Sequence, residues 1–279
     1  MFATFIDGMR DVGYFEGQNI TYVRRSAAGN PQIVPRLAAE LVALKVNIIL
    51  TGADLPIGAV KAATSTIPIV FVVGDAVTTG IVSNLSRPGG NLTGLSFLND
   101  ELSSKRLEVL HDAMPQLQNL AVFDDPSSSR KYLEATQETG RRLGLKLQIF
   151  ELPSVGSFEQ AFATAKAQRL EAVDVLASAF FDANHDLFAE LEVKYKLPAI
   201  HEHREFVRAG CLLSYGPNLS DLFKRAAVYA DKIIKGARPG DLPVEQPTKF
   251  EMLINLRTAK AIGVRLSDSF VERADEVIE

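Results

Sequence analysis

The chain has 279 residues, of which 47% are hydrophobic and 23% charged, and this balance is typical of a folded globular protein with one large or two modest domains. Its net charge of -4, with lysines and arginines scattered along the chain, argues against a nucleic-acid-binding surface, which needs a concentrated basic face. The single cysteine excludes an internal disulfide bond and a multi-cysteine metal site, and the four histidines lack zinc-binding spacing, so we expect no metal ion.

Short β-rich runs alternate with helical patterns along the chain, which is typical of an α/β fold with mostly parallel sheets. In the first half the pattern predicts helices at 2–17, 31–44 and 54–65 and strands at 19–26, 46–52 and 67–74. A turn-rich segment, SRPGGNLTGLSF, follows at 86–97. The first half therefore contains one series of α/β units.

The pattern then starts again. It predicts helices at 101–115, 130–144, 157–169 and 185–196 and strands at 117–125, 145–152, 172–180 and 197–202. Further on come an apolar strand at 211–215, a helix at 221–235, a Pro-rich extended run at 243–251 and a final helix. Two similar series predict two lobes, with 1–95 plus 216–247 as the N-terminal lobe and 96–215 plus 248–279 as the C-terminal lobe.

The two halves differ at their beginnings. The helix at 130–144 follows a strand, whereas no strand comes before the matching helix at 2–17. We therefore predict that the first strand of the N-terminal lobe is absent from this chain, together with any targeting segment before it. The alternative is a true start at Met1, with a sheet that is one strand smaller.

Several motifs look like those of one family, among them GYFEGQNI at 13–20, SRPGGNLTG at 86–94 and PVEQPTKFE at 243–251. The chain resembles the ABC-transporter substrate-binding proteins, a family that includes the tryptophan- and tyrosine-binding proteins of bacterial uptake systems. The resemblance covers nearly the whole chain, and the combination of the last two motifs is specific to it.

The resemblance implies a type I periplasmic-binding fold, in which two Rossmann-like lobes with parallel sheets are joined by three hinge segments and close over a small solute. It also implies a periplasmic or other extracytoplasmic location after export by a signal peptide. The expected partners are the solute and the transmembrane subunits of an ABC permease, and receptors of this kind usually work as monomers.

Candidate solute contacts in the N-terminal lobe follow its strands, because open parallel sheets bind ligands beyond the carboxyl ends of strands. Thr51, Gly52 and Ala53 stand at the start of a helix, where free backbone N–H groups suit a carboxylate, although the same residues are also an ordinary helix cap. Asp75 follows the next strand, and the resemblance implies that its Gly-Asp turn lies near the cleft. It either binds the solute or caps the turn.

Two further candidates come just past the first predicted crossing between the lobes. The hydroxyl of Ser96 could form a hydrogen bond to a solute, and the ring of Phe97 could stack on it. The alternative for both residues is packing at the hinge.

The second lobe offers candidates at three strand ends. Asp124 and Asp125 could anchor an amine or form an ordinary turn. Phe181 and Asp182 close the strand at 172–180, and the resemblance implies that an aspartate at this place contacts the amine of the ligand. Capping of the following helix is the alternative for Asp182. His201 ends the next strand as a polar contact or a surface histidine.

Tyr215 lies in the second predicted crossing, where it presents a ring and a hydroxyl to the solute or packs at the hinge. Rings suit an aromatic body and acids suit an amine, so the expected solute is an aromatic or hydrophobic amino acid, with an aromatic carboxylate as the second choice.

The sequence contains no GxSxG elbow, no P-loop, no GxGxxG after a strand and no Cys-His pair, and we therefore expect a receptor without catalysis or a cofactor. Two alternatives use a similar fold. An effector-binding domain of a transcription regulator would have a helix-turn-helix domain before it. A doubly wound enzyme, the weaker alternative, would need a catalytic pair across the cleft.

Overall fold

The computed structural model describes residues 2–27, 30–52, 54–97 and 99–279. The chain forms two compact units: unit 1 is Met1–Leu98 with Leu219–Thr248, and unit 2 is Asn99–Asn218 with Lys249–Glu279. The chain changes unit after residues 98, 218 and 248, where the sequence predicted changes after 95, 215 and 247. Among the described residues, no helix has the length and apolar character needed to cross a bilayer.

Unit 1 contains three strands and four α-helices among its described residues. In chain order they are α1 (Phe2–Asp11), α2 (Val34–Ala43), β1 (Ile49–Gly52), α3 (Asp54–Ala63), β2 (Ile69–Val73), β3 (Leu92–Ser96) and, after the first part of unit 2, α10 (Leu219–Ile234). The strands form a parallel sheet in the order β1-β2-β3. All five residues of β2 are buried, as expected of a central strand in a parallel sheet.

Strand β3 was missed because its glycine suggested a turn. Gly94 pairs with Phe71 of β2, and a Cβ atom at this position would lie 2.0 Å from the carbonyl oxygen of Phe71. A similar close contact joins α1 to α10, since a Cβ atom at Gly8 would lie 2.9 Å from the Cβ of Ala227. Both glycines therefore permit close packing of backbones.

The predicted strand at 19–26 is wrong. This segment has only an isolated bridge between Glu16 and Ile20, and no strand of the described part of unit 1 pairs with it. The ring of Tyr22 instead packs edge-on against the rings of Phe2 and Phe5, with centroids 6.0 and 6.4 Å apart. An alternating pattern forms a strand only where a neighbouring backbone completes the hydrogen bonds.

Unit 2 is built on a larger sheet. Its elements are α4 (Asn99–Ala113), β4 (Asn119–Asp124), α5 (Arg130–Leu143), β5 (Lys146–Glu151), α6 (Gly156–Ala167), β6 (Ala172–Val175), α7 (Ala179–Asp182), α8 (His185–Tyr195), β7 (Ala199–His201), α9 (Arg204–Ala209), β8 (Leu213–Pro217), β9 (Phe250–Asn255), α11 (Leu256–Ile262), α12 (Asp268–Val271) and β10 (Glu276–Ile278). The predicted α/β architecture with mainly parallel sheets is confirmed.

The sheet of unit 2 has the order β10-β9-β8-β7-β6-β4-β5. Strands β4 to β8 are parallel, whereas β9 runs antiparallel to β8. Two apolar clusters lie among these elements, one including Leu107 and Leu110 of α4 and the other including Phe158 and Phe188 of α6 and α8. Strand β10 was not predicted, and β9 was predicted only as an extended crossing.

One arginine lies completely inside unit 2. Arg106 of α4 has no exposed surface, and its Nη2 donates a hydrogen bond to Ser103 Oγ at 3.0 Å. Asp174 of β6 is equally buried, and its burial raises the pKa of its carboxyl group to about 6, while the positive charge of Arg106 opposes this rise. Arg106 therefore stabilises a buried carboxylate in the core.

Candidate functional site

The carboxyl ends of three strands are neighbours in unit 2, because β6 pairs with β4 on one side and with β7 on the other. Strand β5 lies on the outer side of β4, whereas the later strands continue from its other side, so the strand order reverses between β4 and β6. Open α/β sheets bind ligands at such a switch point. We call the polar and aromatic side chains that follow these strands the switch-point cluster: Asp124, Asp125, Ser178, Phe180, Asp182, Glu202 and His203.

Asp125 serves as a hydrogen-bond acceptor for two loops. Its Oδ1 accepts from the backbone N–H and the hydroxyl of Ser127 at 2.9 and 2.8 Å, and its Oδ2 accepts from Ser178 Oγ at 2.6 Å. Ser178 Oγ also accepts from the backbone N–H groups of Phe180 and Phe181 at the start of α7. Because three donors already use its carboxylate, Asp125 supports the loops rather than offering a free anchor for an amine.

Asp124 is buried at the end of β4, with 4% of its surface exposed. Its burial raises the pKa of the carboxyl group to about 6, the charge of Arg130 opposes this rise, and the charges of Asp125 and Glu151 add to it. The side chain is therefore partly protonated just below neutral pH. It remains a candidate contact.

The two phenylalanines after β6 have different surroundings. Phe181 is 1% exposed, and its ring packs against those of Phe158 and Phe188, with centroids 5.6 and 5.3 Å apart. The prediction that Phe181 contacts a solute is therefore corrected, because α7 turns this ring into the core. Phe180 is only half-buried, with its centroid 5.3 Å from that of Phe158, and takes its place as the candidate ring.

Asp182 keeps 29% of its side chain exposed at the end of α7. Its Oδ2 lies 3.7 Å from Nε2 of His203, and the same nitrogen lies 3.5 Å from Oε2 of Glu202. Burial raises the pKa of Asp182 to about 7, His203 opposes the rise, and Glu202 adds to it. Of the predicted acids, Asp182 is the partly exposed carboxylate of the switch-point cluster.

His201 has no exposed surface. Its ring stacks on that of Phe206 at 4.3 Å between centroids, and its Nε2 lies 3.5 Å from Oε2 of Glu192. The predicted role of His201 as a direct solute contact is therefore corrected, because the last residue of β7 directs its side chain into the core. Burial lowers the pKa of His201, which favours its neutral form.

The side chain of Glu192, which lies close to His201, connects the beginnings of β7 and β8. Its Oε1 accepts from the backbone N–H groups of Ala199 and Leu212, each at 3.0 Å. Cys211 is buried beside it, and burial raises the pKa of the thiol well above its usual range. We interpret Glu192, His201 and Cys211 as a buried polar cluster of the core.

Tyr215 is half-buried in β8, where its ring stacks with that of Phe250 of β9 at 6.3 Å between centroids. Next to it, a Cβ atom at Gly216 would lie 2.1 Å from the carbonyl oxygen of Glu202, so the backbones of β8 and of the segment after β7 touch. Tyr215 and Phe250 therefore form an aromatic pair that lies two and three strands away from β6, respectively, in the sheet order.

The candidates of unit 1 divide into two groups. Thr51 and Gly52 are the last residues of β1 and are partly exposed, while Ala53 lies outside the described residues. Asp75 uses Oδ1 to accept from the backbone N–H groups of Val77 and Thr78 at 3.1 and 2.9 Å, and it therefore caps a turn. Thr51 and Gly52 remain candidates.

Ser96 and Phe97 end β3. Ser96 is 2% exposed, and its Oγ accepts from the backbone N–H of Ala76 at 3.0 Å. Phe97 is 8% exposed, and its backbone N–H donates to the carbonyl oxygen of Val73 at 2.9 Å. Within unit 1 both residues therefore help to hold the segment after β2, and Ser96 has little surface left for a solute.

Ser178 and His203 were missed in the sequence. Each lies one to three residues past a strand end, and a search of all polar side chains after each strand would have included them. What no pattern could show is that Ser178 contacts Asp125, 53 residues away.

A family model and a known protein are similar to this chain over most of its length. A family model described as ABC transporter substrate binding protein matches residues 2–278. The tyrosine-binding protein of Clostridioides difficile is 24% identical over 265 residues, which are 94% of this chain and 76% of that protein.

Two solved structures have a similar fold. A conserved domain protein from Vibrio cholerae has a TM-score of 0.92 and 24% identity, covering 99% of this chain and 93% of that one. The ABC domain from Streptococcus pneumoniae in complex with L-Trp has a TM-score of 0.90 and 22% identity, covering 99% and 94%. The predicted type I periplasmic-binding fold is confirmed. With the full-length match to the family model, the chain belongs to the ABC transporter substrate-binding proteins.

Proposed function

We propose that this chain is an extracytoplasmic receptor that binds an amino acid with an aromatic or hydrophobic side chain and presents it to the transmembrane subunits of an ABC importer. The observation that carries the proposal is the pairing, on the short helix after β6, of a partly exposed carboxylate, Asp182, with a partly exposed ring, Phe180. The receptor acts as a monomer without catalysis. Its family and the curated tyrosine-binding relative support the solute class.

Asp182 is the proposed anchor for the ammonium group of the solute. A charge-assisted hydrogen bond to a partly desolvated carboxylate is among the stronger polar contacts in proteins. Phe180 offers an apolar surface beside it, which suits the side chain of the solute. The similar structure from Streptococcus pneumoniae is a complex with L-Trp, which supports a solute with an aromatic side chain.

Unit 1, taken by itself, offers a candidate site for a carboxylate. Thr51 and Gly52 end β1 shortly before α3, which begins at Asp54, and backbone N–H groups at the start of a helix suit a carboxylate. We propose that these residues, rather than Asp75 or Ser96, provide the contribution of unit 1.

Isothermal titration calorimetry with tyrosine, tryptophan, phenylalanine, leucine and benzoate tests the proposal. We expect at least one amino acid to bind and Asp182→Asn to weaken it by about tenfold or more, as the loss of a charged hydrogen bond implies. Asp186→Asn is the matched control, because Asp186 is 84% exposed on α8 and carries the same charge. Binding of benzoate alone would contradict the proposed solute class.

A further inference from the structure

Two carboxylates and two histidines surround Asp182. Glu202 and Glu205 add negative charge, and His203 and His185 are the groups that oppose it. Arg204 stands between these residues in the chain, but its guanidinium pairs with Glu251, at 3.1 Å, and with Glu276. The groups beside Asp182 that oppose this negative charge are therefore histidines.

His203 lies between two carboxylates. Its Nε2 is 3.7 Å from Oδ2 of Asp182 and 3.5 Å from Oε2 of Glu202, and these are ion-pair distances rather than short hydrogen bonds. The side chains of His203 and Glu202 are 5% and 4% exposed, so water screens these charges only weakly. A change of charge on either residue therefore changes the electrostatic potential at the carboxyl group of Asp182.

Within the part of the chain that the structure describes, the carboxylate of Glu202 has one oxygen without a hydrogen bond. Its Oε1 is buried and accepts no hydrogen bond from the described residues. An unsatisfied carboxylate oxygen in such a place is unfavourable, and its negative charge favours a proton on a neighbouring acid. Glu202 and His203 therefore act on Asp182 in opposite directions.

We propose that Glu202 and His203 are positioning residues that set the charge of Asp182, and that through it they determine the pH range in which unit 2 accepts the ammonium group of the solute. This inference rests on the proposed function. Asp182 binds an ammonium group as the carboxylate and releases it when protonated. The carboxyl group has a pKa raised to about 7 by its burial, so solute affinity depends on pH close to neutrality.

Calorimetry between pH 5 and 7.5, where the ammonium group of the solute stays charged, provides the first test. In the wild-type protein we expect the Kd to rise by about tenfold for each pH unit below the midpoint of the profile. His203→Gln removes the group that favours the carboxylate, so the midpoint moves to higher pH by about half a unit or more. Glu202→Gln removes a neighbouring negative charge, and the midpoint moves to lower pH by a similar amount.

The opposite directions separate this role from a purely structural one. Loss of packing in either variant would weaken binding at every pH without moving the midpoint. Glu190→Gln is the matched control, because Glu190 is an exposed acid on α8, and we expect its profile to coincide with that of the wild type. Circular dichroism and thermal unfolding of each variant report whether it is folded.

A second test needs no solute. The carboxyl carbon of Asp182, followed by nuclear magnetic resonance in the free protein, should titrate near pH 7 in the wild type, higher in His203→Gln and lower in Glu202→Gln. Unchanged titration in both folded variants, or shifts in the same direction, would overturn the inference whatever the binding data show. The wild-type titration alone tests it if a variant does not fold, since a midpoint below pH 5 would also overturn it.

The two tests together distinguish the inference from the proposed function. Amino-acid binding that is independent of pH overturns the inference and leaves the proposed function standing. An expected titration of Asp182 with no amino-acid binding at any pH overturns the proposed function, and the ammonium part of the inference with it. Binding whose pH midpoint follows the titration of Asp182 in all three proteins supports both.

Discussion

Ser178 Oγ donates a hydrogen bond to Asp125 Oδ2 at 2.6 Å and thereby connects the loop after β4 to the turn after β6. The same hydroxyl oxygen accepts from the first N–H groups of α7, the helix that carries Phe180 and Asp182. Both loops lie at the switch point of the sheet, so this contact holds the candidate ring and carboxylate in place.

Ser178→Ala should lower the free energy of unfolding by about 1–2 kcal/mol, because it removes a helix cap and one donor to a buried carboxylate. Solute affinity should also fall, since α7 loses its attachment to Asp125. Urea unfolding and calorimetry measure the two effects. Ser157→Ala is the control, because Ser157 is an exposed hydroxyl at the start of α6, and its change should stay within about 0.5 kcal/mol. Equal effects of the two substitutions would contradict this role.

Asp124→Asn should change stability in a pH-dependent way. The pKa of Asp124 in the folded protein is about 6, above its usual value, so the folded state binds more protons than the unfolded state from about pH 4 to 6. This residue therefore makes the wild type less stable as pH rises through that range. Asparagine does not titrate. Between pH 4 and 7 the free energy of unfolding of the variant should therefore rise, relative to that of the wild type, by on the order of 2 kcal/mol.

Urea unfolding of both proteins at several pH values measures this difference. Asp11→Asn is the control, because the side chain of Asp11 is exposed at the end of α1, where folding changes its solvation little. A constant difference between Asp124→Asn and wild type over this range would show that Asp124 titrates alike in the folded and unfolded states.

Arg106→Met should destabilise unit 2 by about 1–3 kcal/mol near neutral pH, because it removes the positive charge that favours the ionised form of the buried Asp174. Adding Asp174→Leu should recover part of this loss, since no uncompensated charge then remains in the core. Lys105→Met, which replaces an exposed cation on the same helix, should change stability by less than about 1 kcal/mol. Additive effects in the double variant would show that Arg106 and Asp174 do not interact.

The sequence was sufficient for the order of most elements, because helical and strand periodicities are local properties. It was insufficient wherever a backbone needed a distant partner, and this explains both the false strand at 19–26 and the missed β3. The rule that sites follow strand ends supplied the candidate residues, which remain predictions. It failed for Phe181 and His201, because a strand end does not determine which side chains turn towards the core.

Substitutions of Phe180 and Phe181 should have different effects, one mainly on solute affinity and the other mainly on the free energy of unfolding. Phe181 is 1% exposed within a group of packed rings, so Phe181→Ala should cost about 3–5 kcal/mol of unfolding free energy. Phe181→Leu keeps most of the volume, and it should remain folded with nearly normal solute affinity.

Phe180→Ala should instead weaken solute binding, by about tenfold if the ring contributes the 1.4 kcal/mol that an aromatic contact can supply. Its effect on stability should be smaller than that of Phe181→Ala, because Phe180 is only half-buried. Urea unfolding and calorimetry on the three variants measure both quantities. If Phe180→Ala left affinity unchanged while Phe181→Leu weakened it, the assignment of the solute contact to Phe180 would be wrong.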